Sequence, residues 1–509
     1  MFKYLTLTLL GTCFLVAQPG FTQEGQPSTT IQEPPIKKEL SNEETVVTSH
    51  SLKINSVDVP YKTTVGTQLL HDAEGKSKAS IFFVAYTKEE AGDQRDRPIT
   101  FCFNGGPGSS SVWLHLGLLG PKRVDMDKEG KNAKQPYQLV DNPYSILDIT
   151  DLVFIDPIST GYSRVVTGED AKQYHGVEKD IKSIAEFIRL YITRNERWES
   201  PKFLAGESYG TTRASGLALE LHDTHHLYLD GIMLISSVLN FQTIHFSSGN
   251  DLPYILFLPS YTATALYHHK LNANFQADEK RTLAEVERFA YGEYAEALMH
   301  GDKLLPEKRA AVIEKLSSYT GISKDYIDRS DLRLHIFRFA KEVLKDERRT
   351  VGRFDSRVKG IDSDLCNDIF EFDPSFESII GLFTATFNDY IRRDLKWNKD
   401  EEYIILANVQ PWDYGSGNQF LDVGEKLREV MSKNTMLDVF VASGYTDLAT
   451  PYFATEYTFS HLGLDPSLRN HLTLKVYDGG HMMYLYPPTL IKMKSDLSQF
   501  MKQRLNKRG

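Results

Sequence analysis

One serine lies at the centre of a glycine-flanked segment, Gly206-Glu207-Ser208-Tyr209-Gly210. The residues KFLA before it are strand-like and TTRASGLALELH after it are helix-like, which predicts that Ser208 lies on a tight turn at the head of a sheet. A hydroxyl is a poor nucleophile unless a base removes its proton, so a histidine is required elsewhere. The spacing alone is a modest signal, and the alternative is a surface serine on a turn.

Asp447 and His481 follow later strand-like runs, in the order that such a nucleophile requires. Asp447 lies in SGYTDLATP after LDVFVA, and His481 lies in DGGHMMY after LTLKVY. We expect His481 to accept the Ser208 proton and to pass it to the leaving group, while Asp447 orients the ring and stabilises the imidazolium. Most aspartates and histidines after strands have no catalytic role, but this order favours a catalytic triad.

A second glycine-rich segment, Asn104-Gly105-Gly106-Pro107-Gly108, follows the apolar run PITFCF. Acyl transfer needs hydrogen-bond donors for the oxyanion. Glycines let backbone N–H groups approach a substrate oxygen closely. The alternative is a phosphate-binding loop, but the pattern G-x-x-x-x-G-K-[ST] does not occur in the sequence. We therefore predict that this segment contributes to an oxyanion hole.

The elements that must position these residues form an alternating pattern. Continuous apolar runs are typical of strands buried on both faces, and helical patterns such as 177–194 lie between several of them. Such alternation predicts an α/β domain with a mostly parallel sheet, preceded by an antiparallel region over about 51–90. Functional groups of these sheets gather beyond the carboxyl ends of the strands, where every motif above lies. The runs are PITFCF, DLVFI, KFLA, GIMLI, LDVFVA and LTLKVY.

A long insertion separates the run GIMLI from the run LDVFVA. Its middle is charged and helical, and its edges are rich in aromatic residues. The absence of flexible linkers in its sequence favours a helical lid over the active site, and an independent domain is the alternative. The predicted division is therefore 46–245 for the first part of the core, 246–405 for the lid, and 406–509 for the second part, which carries Asp447 and His481.

The N-terminus has the composition of a secretory signal. Lys3 precedes an apolar run over 5–16, which is too short to span a bilayer. This predicts a signal peptide over 1–17 and export to the periplasm or the exterior. Lipoprotein anchoring at Cys13 is a weaker alternative, because Thr12 is a poor fit to the small residue that such processing needs.

Residues 18–45 are rich in Gln, Pro, Glu, Ser and Thr, which predicts a flexible leader, with order beginning near His50. Two cysteines remain after the predicted signal. Cys102 lies in an apolar run where a buried, inert thiol is expected. A disulfide between Cys102 and Cys366 is an open alternative, but the protein does not depend on a disulfide framework.

The overall charge excludes some classes of partner. The chain of 509 residues has 58 basic and 68 acidic residues and a net charge of −10, which is unlike a nucleic-acid-binding protein. His222 and His226 have the i, i+4 spacing of metal ligands, but no third ligand is evident nearby, and histidines are common at the C-terminal end of a helix. We expect a soluble protein without a membrane span in its mature chain, and neither a metal nor an organic cofactor.

Five segments together resemble the serine carboxypeptidase family, whose members have the α/β-hydrolase fold. They are FNGGPGSSS, IDPISTGYSR, GESYG, GYTDLATP and GGHM, and the resemblance extends from about residue 98 to 487, weakest over the insertion. It implies a peptide substrate. The implied site residues are Ser208, Asp447 and His481 as the triad, the backbone N–H groups of Gly106 and Tyr209 as the oxyanion hole, and Asn104, Gly105 and Glu207 as contacts to the substrate, with Asn104 and Glu207 gripping its C-terminal carboxylate.

Three positions depart from the family pattern. Ser109 replaces a cysteine, Thr450 replaces the asparagine three residues after the catalytic aspartate, and Leu118 replaces a second glutamate. The third departure bears most on function. Two neighbouring carboxyls cannot both ionise, so one of them stays protonated and can donate to a substrate carboxylate. With leucine at 118, we expect Glu207 to act alone, protonated because of burial.

Lys122 and Arg123 offer another way to recognise a substrate carboxylate, because they follow closely after Leu118. The simpler interpretation is that both are solvated surface cations. Taken together, the sequence favours an exported carboxypeptidase that works through an acyl-enzyme. An esterase or acyltransferase with the same triad and an inactive binding protein are the alternatives. The sequence does not specify the oligomeric state.

Overall fold

The structure is a computed structural model that describes residues 43–133 and 135–508. The predicted signal and nearly all of the predicted leader lie outside the described residues. Strand β1 begins at Thr45, so the expectation that order begins near His50 is wrong. The reason is that backbone pairing and Glu43 hold this polar segment: Thr45 is paired with Gly66, and the Glu43 carboxylate accepts a hydrogen bond from the backbone of Leu69 at 2.8 Å.

The strands in the described part of the chain build one large sheet and two short hairpins. The large sheet has the order β1-β2-β3-β7-β4-β9-β10-β13-β14, with β8 paired to β3. The strands are β1 (Thr45–Ile54), β2 (Val57–His71), β3 (Ser77–Lys88), β4 (Ile99–Phe103), β5 (Lys122–Val124), β6 (Leu139–Asp141), β7 (Asp151–Ile155), β8 (Arg164–Val165), β9 (Lys202–Glu207), β10 (Gly231–Ile235), β11 (Thr350–Val351), β12 (Lys359–Gly360), β13 (Asp438–Gly444) and β14 (Leu472–Tyr477).

Strand direction divides the large sheet into two parts. The strands β1, β2, β3 and β7 are paired antiparallel. From β7 through β4, β9, β10 and β13 to β14, every pair is parallel. The carboxyl ends of these parallel strands therefore meet at one edge. The predicted antiparallel region and the predicted parallel strands are both confirmed.

Helices follow and connect the strands, and the helix predicted over 177–194 is confirmed as α2. They are α1 (Val112–Leu114), α2 (Val177–Arg194), α3 (Tyr209–His225), α4 (Leu252–Tyr267), α5 (Ala273–Gln276), α6 (Glu279–Phe289), α7 (Ala295–His300), α8 (Pro306–Thr320), α9 (Lys324–Arg329), α10 (Ile336–Glu342), α11 (Pro374–Arg393), α12 (Gly424–Lys433), α13 (Tyr452–Ser460) and α14 (Pro487–Asn506). None of the helices within 43–133 and 135–508 has both the length and the apolar composition needed to cross a bilayer.

Both faces of the parallel part of the sheet are buried under apolar side chains. Successive strand residues point to opposite faces: in β4, Cys102 belongs to one apolar cluster, while Phe101 and Phe103 belong to the other. Helices α2, α3 and α12 contribute to the cluster with Phe101, and α11 and α14 contribute to the other. Burial on both faces explains why these strands are continuous apolar runs. The predicted α/β-hydrolase fold, with a mostly parallel sheet flanked by helices, is confirmed.

The segment 246–405 contains the helices α4 to α11. Side chains of α4, α6, α8 and α10 form a further apolar cluster, which also includes Leu448, the residue after Asp447. The segment thus has apolar packing of its own that extends to a predicted catalytic loop. Its role as a lid and its limits at 245/246 and 405/406 stay predictions.

Both cysteines of the described chain are free thiols, so the open alternative of a disulfide is not realised. Cys102 is buried in β4, and its burial raises the pKa of the thiol well above its ordinary value. A thiol that stays protonated is a poor nucleophile, which agrees with the expected inert role. Cys366 is exposed and belongs to the insertion.

Candidate active site

Ser208 lies on a sharp turn between the carboxyl end of β9 and the start of α3. Its backbone has φ 59° and ψ −130°, a conformation that is costly for a residue with a side chain and that concentrates at functional sites. The turn requires glycine nearby, because a Cβ atom on Gly206 would lie 2.2 Å from the carbonyl oxygen of Gly210. The predicted strand–turn–helix placement is confirmed, and Ser208 is partly exposed.

Asp447 and His481 are in direct contact, although they come from different loops. The ring Nδ1 of His481 donates to Asp447 Oδ2 at 2.8 Å, and both side chains are buried. The same carboxylate accepts hydrogen bonds from the backbone of Ala449 at 2.7 Å and from the backbone and hydroxyl of Thr450 at 2.9 and 2.8 Å. Thr450, which replaces an asparagine of the family pattern, therefore serves as a donor to Asp447.

The charges around His481 favour its protonated form. Burial alone disfavours the imidazolium, but the carboxylates of Asp447 and Glu207 outweigh burial, so the pKa of His481 is raised above its ordinary value. The backbone of the histidine is held by Ser236, at the end of β10, whose hydroxyl donates to the His481 carbonyl at 2.6 Å. Contact between His481 and the Ser208 hydroxyl, which would complete the triad, stays a prediction.

The glycine segment after β4 packs against the turn that holds Ser208. A Cβ atom on Gly105 would lie 2.4 Å from the backbone nitrogen of Tyr209, so the two backbones touch. Gly106, with φ 103°, is the next residue, and Tyr209 is the first residue of α3. Backbone N–H groups at a helix N-terminus attract negative charge. The two predicted oxyanion donors therefore lie in adjoining segments, and their joint role stays a prediction.

Glu207 is buried in the site, and only 1 % of its surface is exposed. Burial raises its pKa to about 7, and the Asp447 carboxylate adds to this rise, while His481, the Tyr484 hydroxyl and the Asn104 amide oppose it. The Tyr484 hydroxyl donates to Glu207 Oε2 at 2.7 Å. The expectation that Glu207 acts alone is therefore wrong, because a tyrosine from a distant part of the chain supplies a partner.

Asn104 is held from two sides. Its side-chain oxygen accepts a hydrogen bond from the Leu114 backbone at 3.0 Å, and its carbonyl accepts one from Arg213 at 2.5 Å. Arg213 is itself buried and paired with Asp180 at 2.7 Å. Because the side-chain oxygen is occupied, the NH₂ group of Asn104 is left to act as a donor, and it lowers the pKa of Glu207. Asn104 and Glu207 are thus neighbours, as their predicted joint role requires.

Lys122 is engaged elsewhere. Its ammonium lies 2.6 Å from the carboxylate of Asp141, on the neighbouring strand of a short hairpin, and the pair is solvent-exposed. Arg123, the next residue of the hairpin, donates to the Val124 carbonyl at 3.3 Å. The Lys122 contact agrees with the simpler interpretation of a solvated surface cation, whereas Arg123 is partly buried, so the same interpretation for Arg123 stays a prediction.

The insertion contributes residues that the sequence patterns did not indicate. The Phe354 carbonyl accepts the backbone N–H of His481 at 2.5 Å, and the two rings lie 5.0 Å apart. The neighbouring Arg353 carbonyl accepts the backbone N–H of Leu448 at 3.0 Å, and its guanidinium lowers the pKa of His481. This short segment thus supports both loops that carry the predicted catalytic residues Asp447 and His481. The contacts are made through backbone carbonyls, so no residue type in the segment would have indicated them.

The alternative of a metal site at His222 and His226 gains no support from their surroundings. His222 Nδ1 is hydrogen-bonded to Asp223 Oδ1 at 2.8 Å, and His226 ends α3 in a left-handed conformation. Among the residues that the structure describes, no group of three or more His, Cys, Asp or Glu side chains could hold a metal ion.

Comparison with known proteins gives consistent matches. A sequence model of the family described as serine carboxypeptidase matches residues 65–367. The chain is 29% identical over 150 residues to carboxypeptidase Y homolog A of Talaromyces stipitatus, which is 29% of this chain and 25% of that protein. It is also 29% identical over 166 residues to serine-type carboxypeptidase F of Aspergillus niger, which is 31% of this chain and 28% of that protein. The chain therefore matches about a quarter of the length of these curated relatives.

The fold is also similar to a solved structure. A prohormone-processing carboxypeptidase from Saccharomyces cerevisiae, Kex1(Δ)p, matches with a TM-score of 0.53 and 16% identity over 87% of this chain and 92% of that chain. At this identity the likeness concerns the fold. The family match covers more than half of the 509 residues and includes the glycine segment and Ser208. The chain belongs to the serine carboxypeptidase family.

Proposed function

We propose that this protein is a serine carboxypeptidase that removes residues from the C-termini of peptides through an acyl-enzyme. The observation that carries the proposal is the buried carboxyl of Glu207, which lies directly before Ser208, accepts a hydrogen bond from Tyr484 and has a pKa raised to about 7 by burial. A site that holds a neutral acid beside the nucleophile is suited to a substrate with a free carboxylate. Family membership and the Asp447–His481 contact support the same conclusion.

In the first half of the reaction, Ser208 Oγ attacks the carbonyl carbon of the last peptide bond while His481 takes its proton. Asp447 stabilises the resulting imidazolium. The negative charge on the former carbonyl oxygen is received by the backbone N–H groups of Gly106 and Tyr209. His481 then protonates the amine as the C–N bond breaks. The C-terminal amino acid leaves, and the rest of the peptide stays on Ser208 as an ester.

In the second half, a water molecule replaces the amino acid. His481 removes a proton from the water as it attacks the ester, and the tetrahedral intermediate uses the same two N–H donors. His481 then returns the proton to Ser208 Oγ, which releases the shortened peptide. This half requires His481 to be neutral again, so activity should fall as the pH decreases through the raised pKa of His481.

Exopeptidase selectivity would come from Glu207 and Asn104. A protonated Glu207 can donate a hydrogen bond to the substrate's terminal carboxylate, and the NH₂ group of Asn104 supplies a second donor. Because the pKa of Glu207 is about 7, this donor is present below that pH and is lost as the pH rises through it. An ionised Glu207 would repel the substrate carboxylate. The preference for a free C-terminus should therefore be greatest at acidic pH.

Product analysis on an unblocked peptide mixture tests the proposal. The wild type should release single amino acids from C-termini, and Ser208→Ala should release none. Internal cleavage would replace the exopeptidase assignment by an endopeptidase. Turnover of esters without turnover of peptides would favour the esterase alternative. Failure of Ser208 to react with a fluorophosphonate would favour an inactive binding protein.

Export to the periplasm or the exterior is part of the same proposal and depends on the N-terminal sequence alone. N-terminal sequencing of the protein recovered from its native cells should place the first residue near position 18. A mature chain that begins at Met1 would contradict export by this signal.

A further inference from the structure

Tyr484 is a buried tyrosine whose hydroxyl is committed to the active site. It lies in the short turn Met483–Leu485, three residues after His481 and just before α14, and 1 % of its surface is exposed. Its hydroxyl donates to Glu207 Oε2 at 2.7 Å across 277 positions of sequence. A buried tyrosine hydroxyl needs a polar partner, and here the partner is the carboxyl that precedes the nucleophile.

The ring of Tyr484 occupies space beside the segment that contains Leu118. A Cβ atom on Gly117 would lie 2.4 Å from Tyr484 Cε2, so the ring rests directly on the glycine backbone. Leu118 is itself buried and has an apolar side chain, so it cannot donate to Glu207. Glycine at 117 thus leaves room for the ring of a donor that comes from the loop after His481.

We propose that Tyr484 is a positioning residue that holds the Glu207 carboxyl for recognition of the substrate's C-terminal carboxylate. This rests on the proposed function. The tyrosine hydroxyl occupies one oxygen of Glu207, which leaves the other oxygen to carry the proton and to donate it to the substrate. The hydroxyl thereby orients the Glu207 carboxyl without adding a negative charge beside the substrate carboxylate, although it does not raise the pKa of Glu207 as a second acid would.

The groups that face Glu207 determine the direction in which Tyr484 shifts the pKa of this carboxyl. They are the Tyr484 hydroxyl, the Asn104 amide, the His481 ring and the Asp447 carboxylate. Burial raises the pKa of Tyr484 well above its ordinary value, so its hydroxyl remains a donor over the working range. A hydrogen bond donated to a carboxyl favours the charged form. Tyr484 therefore lowers the pH at which Glu207 loses its proton, and removal of the hydroxyl should raise that pH.

A binding experiment separates this role from catalysis. In a Ser208→Ala background, the affinities of an N-blocked dipeptide and of its C-terminal amide are measured by calorimetry from about pH 5 to about pH 9. The ratio of the two affinities isolates recognition of the carboxylate. We expect the ratio to fall as the pH rises through the pKa of Glu207. In Tyr484→Phe the midpoint of this fall should move upward by about one pH unit.

A matched control tests whether loss of any buried tyrosine hydroxyl has the same effect. In the lid, the Tyr319 hydroxyl donates to Glu285 Oε1 at 2.7 Å, which is the same kind of contact outside the site. Tyr319→Phe should leave the midpoint where it is. If Tyr484→Phe shifts the midpoint no more than Tyr319→Phe does, the positioning role is refuted.

A second variant disturbs the contact between Tyr484 and Glu207 but keeps the tyrosine hydroxyl. In Gly117→Ala the added methyl should push the Tyr484 ring away from Glu207, and the midpoint should move in the same upward direction. Failure of this variant to shift the midpoint would also refute the proposal. If the background protein binds acid and amide equally at every pH, the carboxypeptidase assignment itself fails. A pH-dependent ratio that neither variant alters refutes only the role of Tyr484.

Discussion

Two carboxyl groups of the same site, Asp447 and Glu207, are equally buried but differently supplied with hydrogen-bond donors. Asp447 accepts from His481, from the backbone of Ala449 and twice from Thr450. Glu207 accepts from Tyr484 and lies beside the Asn104 amide, and its pKa is raised to about 7. The two buried carboxyls therefore differ in their hydrogen-bond donors. This difference suits Asp447 to holding the His481 ring and Glu207 to donating a proton to the substrate.

The largest change should follow from Asp447→Asn. Its amide would favour the wrong tautomer of His481, so kcat should fall by about 10⁴-fold. The loss should be equal for an N-blocked dipeptide and for its amide, because Asp447 acts on the chemical step and not on the terminal carboxylate. Steady-state kinetics on both substrates check this. A loss confined to the free acid would reverse the roles given to the two carboxyls.

Glu207→Gln should change selectivity more than rate. A glutamine NH₂ group can donate to a substrate carboxylate at every pH, so the preference for acid over amide should become independent of pH. At about one unit above the pKa of Glu207, this preference should exceed that of the wild type by about tenfold. Glu285→Gln, which alters a tyrosine-bound glutamate of the insertion, is the matched control. A preference that still falls with pH in Glu207→Gln would show that another group titrates.

Thr450→Val should remove one of the hydrogen bonds that the Asp447 carboxylate accepts. The Thr450 hydroxyl donates to Asp447 Oδ2 at 2.8 Å, and a hydrogen bond to a charged group contributes about 1.5 kcal/mol or more, so kcat should fall by about tenfold. Thr450→Ser keeps the hydroxyl and should remain close to the wild-type rate. Equal losses in the two variants would indicate that packing and not the hydrogen bond is responsible.

Arg353→Gln should produce the smallest effect. The guanidinium of Arg353 lowers the pKa of His481, so its removal should raise that pKa. The acidic limb of the pH–rate profile should then move to higher pH by roughly several tenths of a pH unit. Arg329→Gln, which alters an exposed arginine of the insertion, should leave the limb unchanged. A downward shift in Arg353→Gln would contradict the sign of this electrostatic contribution.

The sequence predicted those features of the fold that depend on neighbouring residues, such as buried strands and tight turns. Strands such as β9, buried on both faces, appear as apolar runs, and the turn at Ser208 is indicated by its own glycines. The start of β1 at Thr45 was missed because its residues are polar and its support comes from Glu43 and β2. Polarity predicts disorder only when no neighbouring strand supplies backbone hydrogen bonds.

Contacts between distant parts of the chain could not be predicted. The tyrosine that serves Glu207 is 277 positions away, and nothing in the sequence around Tyr484 indicates which carboxyl its hydroxyl meets. The segment Arg353–Phe354 reaches His481 through a backbone carbonyl, which every residue type provides. Leucine at 118 shows from the sequence that Glu207 lacks a second acid as its partner. That Tyr484 is its hydrogen-bond donor instead becomes evident only when the segments around Glu207, Gly117 and Tyr484 are packed together.

The most direct test of the account is the pH dependence of kcat/KM for the wild-type enzyme on an N-blocked dipeptide and on its C-terminal amide. The ratio of the two values cancels the titration of His481, which both substrates require. We expect a high ratio at acidic pH that falls by about tenfold for each pH unit above the Glu207 pKa of about 7. A ratio near one throughout the range would contradict the claim that Glu207 recognises the terminal carboxylate in its protonated form.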